Sequence, residues 1–307
     1  MVDVVRLGVF SPSAVGAVGA DAGLFESAGI KLEISAVRSS VSAFSDLASG
    51  ALDLLVTSPD NVLAYRLNGS NALGSCIDAQ ILLGIDRGLG LSLMAAQVGS
   101  DGSWGADGRE LLGVDAPATG FAYAAYAVVD RLGLDKQGLD IVELGATPAR
   151  RDALMAGVCS LTMLNAGHDL VAENAGCGRV ARAVATVGPY LGSALVGIES
   201  WVSRYSTLME RFTEAWLAST RMVVDPASVG SVTARIERLL ACDEATASRA
   251  VATLVSPTEG LVVDGRIDDA ELQTVIELRA AYGGFDGGAI PRAAAAIETG
   301  LVRERRG

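Results

Sequence analysis

Short apolar runs separated by helical patterns fill the chain from Val4 to Ile198, and beyond Trp201 the pattern is helical. Residues 4–10 form an apolar run that enters the Ser11-Pro12-Ser13 turn, and a helix is expected over 14–28, closed by Gly29. Ile30, Leu32, Ile34 and Ala36 alternate with polar neighbours, the period of a half-buried strand. Ser39 or Ser40 then caps a helix running to Ala48. Further strands are expected at 52–56, 81–85, 91–96, 111–115, 141–144 and 161–164. Two more apolar stretches, 184–187 and 194–198, flank Gly188-Pro189-Tyr190-Leu191-Gly192. The Gly- and Ser-rich stretch 100–107 reads as a surface loop, and helices are expected at 201–224, 227–241, 243–255, 268–282 and 289–300.

This pattern repeats within the chain. The stretch from Asp46 to Asn61 reads as a helix end closed by Gly50, a buried strand and a polar turn, and the stretch from Asp152 to His168 follows the same plan. Aligning Gly50 with Gly157 sets Leu54 on Leu161, Ser58 on Asn165 and Asn61 on His168. Leu7-Gly8-Val9-Phe10-Ser11-Pro12-Ser13 matches Leu112-Gly113-Val114-Asp115-Ala116-Pro117-Ala118 at nearly the same offset. Two similar α/β halves are implied, with the loops at the carboxyl ends of their strands as the places for ligand contacts. Asp86-Arg87-Gly88-Leu89-Gly90 and the Gly188 to Gly192 segment suit two crossovers between the halves.

Composition narrows the function. A chain of 307 residues, 50% of them apolar, divides more readily into two domains than it grows one core. A formal net charge of −12, with Lys31 and Lys136 as the lysines, argues against a nucleic-acid partner. Arg303, Arg305 and Arg306 at the C-terminus read as a solubilising tail. The apolar runs stop well short of a membrane span, so no membrane insertion is expected. The first residues enter a strand without a signal peptide's charged and apolar regions, which leaves either a removed signal and an extracytoplasmic location or a cytoplasmic one. Cys76, Cys159, Cys177 and Cys242 lack metal-ligand spacing, and neither a metal nor a cofactor is expected.

Gly23-Leu24-Phe25, Ala28-Gly29-Ile30, Leu47 to Gly50 with Leu52-Asp53, and Thr57-Ser58-Pro59-Asp60-Asn61 resemble the type II periplasmic-binding-protein fold. The branch is that of NMT1/THI5-like, alkanesulfonate, taurine and nitrate binding proteins. Gly113 to Phe121, Leu144 to Pro148 with Arg150, Leu154 to Gly157 and Met163-Leu164-Asn165 fit its second lobe. The resemblance implies an α/β fold of two lobes joined by two hinge crossovers, a helical C-terminal segment packed back on the first lobe, and a ligand in the cleft. Lobe 1 would comprise 1–87 and 193–307, and lobe 2 would comprise 88–192. An ABC permease is the partner that the resemblance implies.

Strand polarity places Ser11, Ser13, Arg38, Ser39, Ser40, Thr57, Asn61, Asp115, Thr119, Phe121, Asn165 and His168 in that cleft, with Tyr190 at the hinge. Helix N-termini there favour a small organic anion. Arg38 is the strong cation of the set, however, so a heterocycle stacked on Phe121 or Tyr190 stays open. His168 is the single histidine, and it is the acid/base candidate if the chain is a cytoplasmic enzyme of hydrolase or lyase type on the same fold. No nucleophile elbow, phosphate-binding loop, zinc-protease motif or dinucleotide fingerprint accompanies it. A binding protein should lose affinity on His168→Ala, whereas an enzyme should lose turnover.

Overall fold

The computed structural model describes residues 2–97, 110–133 and 139–284. The expected loop 100–107, the helix 289–300 and the basic C-terminal cluster lie outside the described residues.

The first half begins with β1 (Asp3–Val9), α1 (Ala14–Asp21), α2 (Leu24–Ser27) and β2 (Ile30–Ala36). It continues with α3 (Ser40–Ser49), β3 (Leu54–Thr57), α4 (Pro59–Leu67), β4 (Ala79–Asp86) and β5 (Ser92–Ala95). The helix expected over 14–28 is two helices, because Gly23 takes φ 66° and turns the chain between them. The second half runs β6 (Glu110–Val114), α5 (Gly120–Arg131), β7 (Leu139–Glu143), α6 (Thr147–Met155), β8 (Leu161–Leu164), α7 (His168–Asn174), β9 (Gly178–Arg182) and α8 (Ala183–Val187). The strand-like stretch at 184–187 is therefore helical, and the strand lies just before it. β9 is a sheet-edge strand carrying Arg179 and Arg182, all of it half-buried, so no apolar run marks it.

The chain returns through β10 (Ser193–Ile198) to α9 (Glu199–Arg204), α10 (Ser206–Val224), α11 (Val229–Leu240), α12 (Glu244–Leu254) and α13 (Asp269–Tyr282). One sheet has the order β2-β1-β3-β10-β4 and the other β7-β6-β8-β5-β9. The two orders are the same once the halves are superposed, which is the sequence repeat made visible. In each sheet the fourth strand comes from the other half and runs antiparallel to its neighbours: β10 lies beside β3 and β4, and β5 beside β8 and β9. Two segments therefore connect the sheets.

Those segments lie back to back. A Cβ on Gly192 would sit 2.2 Å from the Gly88 nitrogen, so a glycine is needed where the backbones meet. Asp86 fastens them: its Oδ1 accepts from the Gly88 N–H at 2.8 Å, its Oδ2 from the Ser193 hydroxyl, and its carbonyl from the Gly192 N–H at 2.9 Å. Arg87 on the first segment donates to Glu271 of α13 at 2.5 Å.

The core sits on the sheets and beneath the C-terminal helices. Phe212 and Trp216 of α10 pack on Phe25, and α10 approaches α1 closely because Gly19 has no Cβ to meet Ser219. A second apolar cluster runs from Phe44 and Leu63 through Leu272, Val275 and Ile276 of α13 to Tyr123 and Tyr126 of α5. The C-terminal segment thus packs against both sheets' helices, beyond the expected docking on one lobe. No described helix is long and apolar enough to cross a membrane.

Candidate functional site

The carboxyl ends of β1, β3, β6 and β8 face a common gap, and each delivers a short polar turn into a helix. After β1, Ser13 caps α1, its Oγ accepting from the Gly16 N–H at 3.0 Å. Beyond β3, Ser58 caps α4 with Pro59 in the first turn, and Asn61 Nδ2 donates to Thr57 Oγ1 at 2.9 Å. Past β6, Asp115 leads to Thr119, whose hydroxyl turns back to the Ala116 carbonyl at 3.0 Å. These turns, together with Thr147 and Arg150 of α6, Asn165 and the crossover residues Asp86 and Ser193, line a cavity of about 140 Å³. Ile236, Leu239 and Leu240 of α11, Ala250, Thr253 and Leu254 of α12, and Leu261 supply an apolar wall.

The lobes touch around this cavity. The Ala146 N–H donates to the Arg38 carbonyl at 3.2 Å, Arg279 Nη2 to the Ala118 carbonyl at 3.3 Å, and Asn174 pairs with Thr246 of α12. Gly120 abuts Ser58 and Asp60: a Cβ there would stand 2.7 Å from Ser58 Oγ and from Asp60 Cβ.

Charge in the cavity comes from Arg150, Asp86 and Asp115 among its described lining residues. Arg150 is 2% exposed and donates to the carbonyls of Gly145 (2.5 Å) and Met163 (3.3 Å) and to Thr147 Oγ1 (3.1 Å). Burial lowers its pKa to about 10, against the pull of Asp115. Burial raises the pKa of Asp115 too, and it is opposed by Arg150 and by hydrogen bonds from the backbone and side chain of Ser40. Asp115 Oδ1 nevertheless has no partner among the described residues, and neither has Asn165 Oδ1, although Asn165 Nδ2 holds the Gly88 carbonyl at 3.1 Å. The carboxyl of Asp86 is likewise pushed up by burial, while Ser193 and Gly88 pull it down.

Ser11, Ser13, Thr57, Asn61, Asp115, Thr119, Phe121 and Asn165 line the cavity together. Arg38, Ser39, Ser40, His168 and Tyr190 do not. Arg38 points to solvent and offers its carbonyl to lobe 2. Ser39 caps α3 in a reciprocal pair with Ser42, each backbone N–H 3.2 Å from the other's hydroxyl. Ser40, 3% exposed, is occupied with Asp115. Tyr190 is buried at 1% exposure in the return crossover, and burial pushes its phenol up.

His168 is displaced by its turn. Where the first half has Pro59 and Asp60 in the first turn of α4, the second has Ala166 at φ 54° and Gly167 at φ 86°, so α7 starts two residues later and the imidazole turns into the packing. It is 2% exposed, with Nδ1 3.2 Å from Arg151 Nη1, and burial followed by that guanidinium drops its pKa to about 4. Arg150 and the apolar wall were not expected in the site. Arg150 lay in a motif already noted, but the helix α11 and α12 residues read as ordinary core.

No protein-family model matches the chain, and no curated protein matches it in sequence. Solved structures do. A protein of Bordetella bronchiseptica RB50 superposes with a TM-score of 0.77 at 16% identity, over 98% of this chain and 96% of that one. The ligand-binding component of an ABC-type import system from Staphylococcus aureus, solved with zinc bound, gives 0.78 at 13% identity over 98% of both chains. The chain has the periplasmic-binding-protein fold. The alkanesulfonate-binding protein SsuA of Xanthomonas axonopodis pv. citri, bound to MOPS, shares it with a TM-score of 0.68 at 11% identity, over 98% and 96% of the two chains. At such identities the shared property is the fold, and the chemistry must be argued from the residues lining the cleft.

Proposed function

We propose that this chain is a small-molecule-binding protein whose ligand occupies the cavity between lobe 1, residues 1–87 and 193–307, and lobe 2, residues 88–192. The observation that carries this reading is that one cavity draws side chains from the strand ends of both sheets and from the crossover residues Asp86 and Ser193. A ligand touching both lobes favours their closed arrangement by its differential affinity, with the two crossovers as the hinge. Because the Staphylococcus aureus protein serves an ABC-type import system, a membrane permease that senses closure is the proposed partner, and the place of work is outside the cytoplasmic membrane.

His168, on which a catalytic reading would rest, does not reach the cavity, and its low pKa keeps it neutral above about pH 4. The reading is tested by native mass spectrometry over time with sulfonates, carboxylates, nitrate, amines and nitrogen heterocycles at stoichiometric protein. A compound retained at unchanged mass, and still retained by His168→Ala, is the expected result. Conversion of a retained compound to a product of different mass would overturn it.

A further inference from the structure

Two acceptor atoms on residues that line the cavity are unmet among the described residues. Asn165 is 8% exposed and its Oδ1 has no partner among the described residues, while its Nδ2 is committed to the Gly88 carbonyl. Asp115 Oδ1 is equally unpartnered and shielded from solvent, although the Asp115 carboxylate draws on Ser40. An unmade hydrogen bond at a buried acceptor is costly, and more so at a carboxylate oxygen, so both atoms call for donors that the described residues do not supply.

An oxyanion supplies none. It would bring a third negative charge beside Asp86 and Asp115, and it would have to compete for the guanidinium of Arg150. Three hydrogen bonds of that guanidinium already go to Gly145, Met163 and Thr147. A positively charged nitrogen head meets the opposite situation: two of its N–H groups match the two vacant acceptors, and its charge is of the sign opposite to Asp86 and Asp115. The rest of the molecule would lie on an apolar surface that includes Ile236, Leu240, Ala250 and Leu254.

Resting on the binding reading above, we propose that the ligand is a small amphipathic cation, an amine or amidine on an apolar body, whose N–H groups bond Asp115 Oδ1 and Asn165 Oδ1. This departs from the sulfonate named for the Xanthomonas neighbour, and the departure lies in side chains, not in the fold.

The test is isothermal titration of the full chain with a matched set of probes, benzylamine, benzamidine, benzyl alcohol, benzoate and benzenesulfonate, with mass spectra taken of each mixture. Benzylamine or benzamidine should bind at least about tenfold more tightly than the two anions. Asp115→Asn, close to isosteric, should erase about tenfold of that preference while its thermal midpoint shows that it folds. Tighter binding of benzoate or benzenesulfonate, lost in Arg150→Gln, would overturn the proposal and leave the binding reading intact. Retention of neither benzylamine nor benzamidine would also overturn it, decided on wild-type protein alone. A probe whose mass changes would instead sink the binding reading.

Discussion

Asp60 and Arg279, 219 residues apart in sequence, form a two-pronged ion pair, Nε to Oδ1 at 2.6 Å and Nη2 to Oδ2 at 2.8 Å. Their side chains are 0% and 4% exposed. The same guanidinium reaches the Ala118 carbonyl and lies 5.2 Å from the Tyr123 ring centroid, so one residue of α13 holds α4 of the first lobe and α5 of the second. Burial pushes the Asp60 carboxyl up, and Arg279 is what pulls it back. Arg279→Met should therefore cost about 3–5 kcal/mol in urea unfolding, because it leaves a buried carboxylate without a counter-charge. Adding Asp60→Asn should recover much of the loss, since the remaining amide carries no charge. A single-variant loss below about 1 kcal/mol, the range of exposed pairs, would show that the pair is not the fastening its burial implies.

The hinge makes a sharper prediction from one methyl group. A Cβ on Gly192 would lie 2.2 Å from Gly88 N and 2.4 Å from Gly88 Cα, both backbone atoms of the facing crossover. Gly192→Ala should lower stability by about 1–3 kcal/mol through overpacking. Gly230→Ala is the counterpart: it lies on α11 with nothing within 4 Å of its added Cβ, and should be neutral or raise stability by up to about 1 kcal/mol. Equal effects in thermal melts would contradict the placement of one or the other.

The repeat was legible because local signals reported it faithfully. Gly50 and Gly157 end their helices at φ 76° and 69°, conformations that glycine takes at little cost, and Leu54 and Leu161 open equivalent buried strands. The lining of the candidate site was legible where a turn directly follows a strand, as at Ser11, Thr57, Asp115 and Asn165. It was illegible where a tertiary contact decides. Arg38 and Arg150 are both arginines near helix starts. What separates them is that α6 buries Arg150 against the Met163 carbonyl of β8, whereas Arg38 stays in water. Leu240 and Leu254 belong to amphipathic helices whose apolar faces look alike whether they meet a core or a cavity. The Asn61 and His168 equivalence failed on the two left-handed residues before α7, a local irregularity that the alignment of the halves cannot carry.

Closure of the lobes can be tested where Gly120 meets lobe 1. An added Cβ would stand 2.7 Å from Asp60 Cβ, held in place by Arg279, and 2.7 Å from Ser58 Oγ. Gly120→Val should act as a wedge that favours the open arrangement. Small-angle scattering should give a larger radius of gyration than wild type, with the helical circular-dichroism signal unchanged. An unchanged radius with retained fold would mean that the seam yields locally and does not govern closure.

His168 and Asp169 set opposing pH dependences from adjacent positions. Burial, then the neighbouring Arg151, lowers His168 from 6.5 to about 4, with Asp152 acting weakly the other way. Its contribution to stability is thus present above pH 6.5 and is lost as pH falls through about 4, roughly 3 kcal/mol in all. Burial raises Asp169 from 3.8 to about 6 despite the Arg179 guanidinium 2.7 Å away. Its contribution runs the opposite way, present below pH 3.8 and lost as pH rises through about 6, and is of similar size. Between about pH 4.5 and 7 the two offset each other, so neither is visible in the wild-type curve. His168→Gln should leave the Asp169 effect exposed, making the variant gain stability on acidification relative to wild type. Asp169→Asn should lose it. Urea unfolding of the three proteins at both pH values measures the difference directly, and parallel stability changes in all three would mean that these groups do not titrate as their burial requires.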